Sequence, residues 1–131
     1  MKNKQLLKQW ILYAQSDLDA AKKLYSAKKP TQWTYLLVLW HCQQTIEKML
    51  KMIIIKKDKE LLKIHDLMRL SKLSEIKLTE ENKTFLENLN EFYLRSRYPD
   101  LIYPALPKPT KELTFKYLNK TEKFFLWLKK Q

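Results

Sequence analysis

The chain has 131 residues, 45% of them hydrophobic, and its 26 lysines and arginines against 14 acids give a formal net charge of +12. That length suits a single domain, residues 1–131, with a substantial core. The chain contains no glycine, which excludes Gly-rich phosphate loops, dinucleotide fingerprints and nucleophile elbows, because each needs φ > 0 or a close backbone approach.

Five helices are predicted in chain order. The first runs from about Lys4 to Ala27, with Leu7, Trp10, Ala14, Leu18, Ala21 and Tyr25 on its apolar face. Lys28, Lys29 and Pro30 break it, and Thr31 can cap the second helix, which continues to about Lys56. After the charged link Lys56 to Glu60, a short third helix spans about His65 to Leu73. Thr79 is a plausible N-cap for the fourth, where Glu80 and Glu81 suit the positive end of the helix dipole and Phe85, Leu89, Phe92 and Tyr93 form the buried face. That helix ends before Pro99, with the cations Arg95 and Arg97 in its last turn. A proline-rich loop, Pro99 to Pro109, leads to the fifth, capped by Thr110 and packing through Leu113, Tyr117, Leu118, Phe124, Phe125 and Leu128. Helices joined mostly by short links predict an all-α, up-and-down antiparallel bundle of four to five helices. Trp10, Leu37, Trp40, Leu50, Phe92 and Leu118 are expected to be buried.

The N-terminus is interrupted by charge too often to hold a secretory h-region, and no apolar run approaches the ~18 residues needed to span a bilayer. The expectation is a cytoplasmic protein with no membrane contact. Cys42 has no partner for an internal disulfide and sits on an apolar face, so an inert buried thiol is expected. Two histidines and one cysteine offer no metal-ligand spacing, and no cofactor is implied. The positive charge invites a polyanion ligand, but it is mostly lysine spread over every helix, with only Arg69, Arg95 and Arg97 as arginines. Solvated faces and a functional polyanion surface both remain open.

The most informative stretch is WHCQQTIEKMLK, Trp40 to Lys51. Leu39, Cys42, Ile46, Met49 and Ile53 keep one face apolar. A second line begins as Trp33, Leu37 and Trp40, then turns polar as Gln44, Glu47 and Lys51, with His41 and Lys48 beside it. Amide, carboxylate and ammonium groups are costly to bury unless they pair or meet a polar ligand. The strip is therefore a buried hydrogen-bond network, a wall of a site, or a solvated face.

Four segments together resemble the HEPN family, small helical proteins named for nucleotide binding in higher eukaryotes and prokaryotes. They are WILYAQSDLDAA from Trp10, WHCQQTIEKMLK, HDLMRL at His65 to Leu70, and RYPD at Arg97 to Asp100 preceded by Tyr93. They occur in family order over about residues 10 to 100; each alone is weak, and the second and fourth together are fairly specific. Thr45 stands where the family commonly has alanine. The resemblance implies a helical bundle, commonly a homodimer, with relatives beside minimal nucleotidyltransferases and others acting as ribonucleases of toxin–antitoxin and defence systems. The ribonuclease branch carries an arginine followed about four to six residues later by a histidine. Here both histidines precede Arg95 and Arg97, and Ile102, Tyr103 and Pro104 occupy the corresponding stretch. Tyr103 is a poor proton-transfer group near pH 7.

The expected reading is a non-catalytic module that binds nucleotide or RNA, or partners a nucleotidyltransferase. Gln44, Lys48, Lys51, Arg95, Arg97 and Asp100 are its candidate ligand-binding residues, supported by Asp17, Glu47, His65 and Tyr103. Several have a plainer role: Asp17 a hydrogen-bonded or salt-bridged core acid, Glu47 and Lys51 a surface i,i+4 ion pair, His65 a cap-region or packing histidine, Arg97 a helix C-terminal cap or a partner of Asp100. The sharper reading of Asp17 is that it orients Lys48 or an arginine in a site. The alternatives are a divergent ribonuclease using Arg97 with His65 or Tyr103, and a structural dimerisation protein.

Overall fold

The computed structural model describes residues 4–98 and 108–131. The candidates Asp100 and Tyr103, in the loop after Pro99, lie outside the described residues. Five helices form: α1 (Lys4–Tyr25), α2 (Gln32–Lys56), α3 (Leu67–Ser74), α4 (Glu80–Arg97) and α5 (Lys111–Lys129), with no strand among the described residues.

Their starts follow from local chemistry. Thr31, Thr79 and Thr110 each accept a hydrogen bond from the backbone N–H three residues on, supplying a partner that a first-turn amide lacks. Thr34 returns the bond at α2, its hydroxyl accepting from the Thr31 N–H at 3.1 Å. At α3 the N-cap is Asp66, whose Oδ1 accepts from Met68 N–H at 2.9 Å. His65 therefore stands just outside the helix it was expected to open.

Lacking glycine, the chain uses acids where the backbone turns left-handed: Asp58 at φ 57° after α2, and Glu75 at φ 59° closing α3. Lys59 offsets part of that strain. Its Nζ pairs with Glu75 at 2.6 Å and donates to the Leu73 carbonyl at 2.9 Å.

α2 is the axis of the bundle and packs against each of the other four helices. α1 folds back along it, with Tyr25 against Tyr35 near the link and Asp17 against His41 farther along. α5 runs parallel to α2. Its start meets Tyr25, and its end meets Lys56, whose Nζ donates to the Gln131 carbonyl. α4 runs antiparallel to both, and α3 occupies part of the α2–α4 connection. Val38, Leu39, Cys42, Ile46, Met49, Leu50, Ile53 and Ile54 of α2 are fully buried, and Leu18, Leu70, Leu89, Phe92, Phe125 and Leu128 close around them. Burying one such side chain favours folding by about 2 kcal/mol.

Leu50, Phe92 and Leu118 are buried as expected, whereas Trp10, Leu37 and Trp40 are only half-buried. The Trp40 ring stacks on Tyr93 and meets His41 edge-on, closing the core at its rim. Trp10 continues an open apolar row with Leu6 and Tyr13. α1 thus presents apolar surface through Leu6, Leu12 and Tyr13, while most of the aromatic residues of α5 turn inward.

Candidate functional site

The polar strip of α2 is a closed hydrogen-bond network. Glu47 is its hub, 3% exposed among the buried aliphatic side chains of α2 and the buried polar groups of Gln43 and Lys51. A buried carboxylate must be paired and hydrogen-bonded. Lys51 Nζ donates to Glu47 Oε2 at 2.9 Å, and Gln43 and Gln44 both donate to Oε1, at 3.2 and 3.3 Å. His65 Nδ1 lies 3.1 Å from both oxygens. An ionised carboxylate only accepts, so the proton sits on Nδ1 and the Nε2 of a neutral ring carries the lone pair. Gln43 also donates to the His65 carbonyl at 2.8 Å, fixing the chain just before α3.

A second cluster lies one turn away. His41 Nδ1 donates to Asp17 Oδ1 at 2.9 Å, and Lys48 donates to Oδ2. Burial pushes the Asp17 carboxyl up, but the hydrogen bonds and charges of His41 and Lys48 outweigh it and hold the group below its usual range. Among the described residues no buried side-chain polar atom lacks a partner.

Lys48 and Lys51 are therefore neutralised inside the fold, and Gln44 spends its amide on Gln43 and Glu47. The Glu47–Lys51 pair is buried, unlike the surface pair of the plainer reading. Asp17 is the paired core acid of the plainer reading. Arg95 lies over the Phe92 ring.

Arg97 is exposed. It donates to the Tyr93 hydroxyl at 2.7 Å and lies over the Tyr93 and Tyr98 rings. Burial pushes the Tyr93 hydroxyl up, and the Arg97 hydrogen bond offsets part of that rise. The His65 ring stands 5.8 Å from Tyr93. Asn90 accepts from Leu67 N–H and donates to Asp66, tying the start of α3 to α4. His65, Tyr93 and Arg97 thus form one corner, beside a cleft of about 180 Å³.

Sequence reasoning gave little weight to His41 and Gln43. Their signal was present: an amide or an imidazole between apolar α2 positions requires a buried partner. Among the described residues no histidine, cysteine and carboxylate cluster has the makings of a metal site.

A family model described as the HEPN domain matches residues 7–131. The chain belongs to the HEPN family. The crystal structure of TT1696 from Thermus thermophilus resembles it with a TM-score of 0.74 at 20% identity, covering 95% of this chain and 96% of that one. That of ST0689, described as an archaeal HEPN homologue, gives 0.72 at 25% identity, covering 100% and 98%. No curated protein matches the chain. The HEPN bundle is thus shown by both sequence and fold. No helix among the described residues is long and apolar enough to cross a membrane.

Proposed function

We propose that this HEPN domain is a non-catalytic binding module that holds a phosphate group of a nucleotide or RNA at the Arg97–Tyr93–His65 corner. One observation carries the reading: of Lys48, Lys51 and Arg97, only Arg97 has no carboxylate partner among the described residues. Its guanidinium has five N–H donors, and Tyr93 accepts one of them through Nη1, so a fork remains for an anion. The cleft of about 180 Å³ beside this corner is lined by His65, Asp66, Asn90, Tyr93 and Leu94, and is smaller than a typical pocket for a whole nucleotide. Glu47 and Asp17 act indirectly, by holding His65 and the α1–α2 pair in place.

HEPN domains commonly form dimers, and the open row Leu6, Trp10 and Tyr13 offers the apolar surface for a second copy. Pairing with a minimal nucleotidyltransferase and a role in a cytoplasmic toxin–antitoxin pair belong to the same proposal. They rest on the family alone.

Sedimentation equilibrium with and without a short RNA tests both parts. A dimer mass that binds RNA weakly, with affinity falling as salt rises, is expected. Arg97→Ala should lower that affinity more than Lys8→Ala does. A monomer at high protein concentration sinks the dimer, and equal effects of the two substitutions sink the corner.

A divergent ribonuclease is the second reading, favoured by the Glu47–His65 contact. Glu47 fixes Nδ1, and Nε2 has no partner among the described residues, the arrangement of an oriented general base. RNA cleavage in EDTA that disappears in both His65→Ala and Arg97→Ala would establish it over the binding reading.

A further inference from the structure

α4 and α5 are neighbours without close backbone approach. Rings bridge the space: Phe85 meets Tyr117 and Phe124, and Phe92 meets Tyr117. Asn88 donates to the Tyr117 hydroxyl at 2.8 Å, fixing this aromatic floor. Above it lie two clefts of about 380 and 260 Å³, which share Glu81, Phe85 and Lys120 and so run end to end as one trough.

Its rim is cationic. Lys116, Lys120 and Lys123 form an i, i+4, i+7 row on α5, rising about 10 Å along the axis, and Lys77 stands at the far end. Lys77, Lys116 and Lys123 have no acidic partner among the described residues. Lys120 lies 5.9 Å above the Phe85 ring and reaches across to Glu81 at 3.2 Å. The half-buried indole of Trp127 lines the larger cleft, held edge-on against Phe124.

We infer that this trough binds single-stranded nucleic acid, with phosphates along the α5 lysine row and an unstacked base against Trp127. Lysines of one sign beside a fixed aromatic ring are the combination that single strands recognise without sequence readout. The extended shape favours a strand over a lone nucleotide. A duplex offers no free base face to Trp127. Glu81 holds the place of a phosphate on Lys120, so a bound strand displaces it. The site lies at the opposite end of α4 from Arg97 and stands whether or not the Arg97 corner binds anything.

Fluorescence anisotropy with a labelled oligouridylate of about a dozen nucleotides tests this. Joint substitution of Lys116→Ala, Lys120→Ala and Lys123→Ala should weaken binding at least tenfold and reduce the salt slope by about 2. Trp127→Ala should weaken it about tenfold, Trp127→Phe much less. Glu81→Gln should tighten it, and Arg97→Ala should leave these trough effects in place. Circular dichroism melts establish that each variant folds. If Trp127→Ala fails to fold, the surface variants carry the decision. The inference is overturned if Lys8→Ala, Lys23→Ala and Lys63→Ala together cost as much as the α5 triple, or if Glu81→Gln has no effect. It is equally overturned if a duplex or uridine monophosphate competes as well as the single strand.

Discussion

The α2 strip and the α4–α5 trough are both rich in lysine, yet they differ in what those lysines face. In the strip, Lys48 and Lys51 meet Asp17 and Glu47 and serve the fold. In the trough, Lys116 and Lys123 meet no acid among the described residues, and Lys120 meets one exposed carboxylate. Formal charge is thus a poor guide to charge available to a ligand. A cation beside a buried acid is already spent, because separating the two leaves an uncompensated charge out of water.

The largest expected effect breaks the strip at its hub. Glu47→Ala strands Lys51 and removes an acceptor from Gln43, Gln44 and His65. It should cost about 3 kcal/mol in urea unfolding, with Tm falling by about 10 °C. A loss under about 1 kcal/mol would mean that the network is not structural and that the contrast with the trough is false.

Acid unfolding sharpens the same contrast. The Asp17 carboxyl is held below its ordinary value near 3.8, so the folded state binds its proton less readily than the unfolded state. Its stabilisation is fully present above that ordinary value and is lost as pH falls through the lower folded one. Between about pH 5 and about pH 3 the parent protein should therefore lose more stability than Asp17→Asn does. Parallel acid limbs in urea melts would contradict this. The smallest effect is expected in the trough. Lys116→Ala should change stability by no more than about 0.5 kcal/mol, since it removes a surface cation with no acidic partner among the described residues. A larger loss would place that lysine among the structural ones.

Helix limits were legible because they are set by near neighbours. Thr31, Thr79 and Thr110 read as caps from residues only a turn away, and all three cap in the structure. His65 was misplaced because the neighbouring Asp66 is the N-cap, its side chain accepting from the Met68 amide. The interior face of α2 was legible from its period. How far Trp10, Leu37 and Trp40 are covered was not, since that depends on which helices lie beside them. In the same way, Glu47 and Lys51 show their spacing in the sequence but not their burial. The sequence offers Asp17 either Lys48 or an arginine as partner, a choice that only the fold makes, pairing it with Lys48 thirty-one residues away. The trough escaped notice because its lysines and rings belong to two helices whose separation only the tertiary fold sets.

Cys42 gives the bundle a clock. It is the chain's single thiol, fully buried on α2, and burial pushes its pKa up to about 12. A water-borne alkylating reagent must wait until the helices around it part. When reclosing outruns alkylation, the labelling rate divided by that of a free thiol is the equilibrium constant for opening. The unaltered protein can thus report its own opening free energy, with no engineered probe and no denaturant.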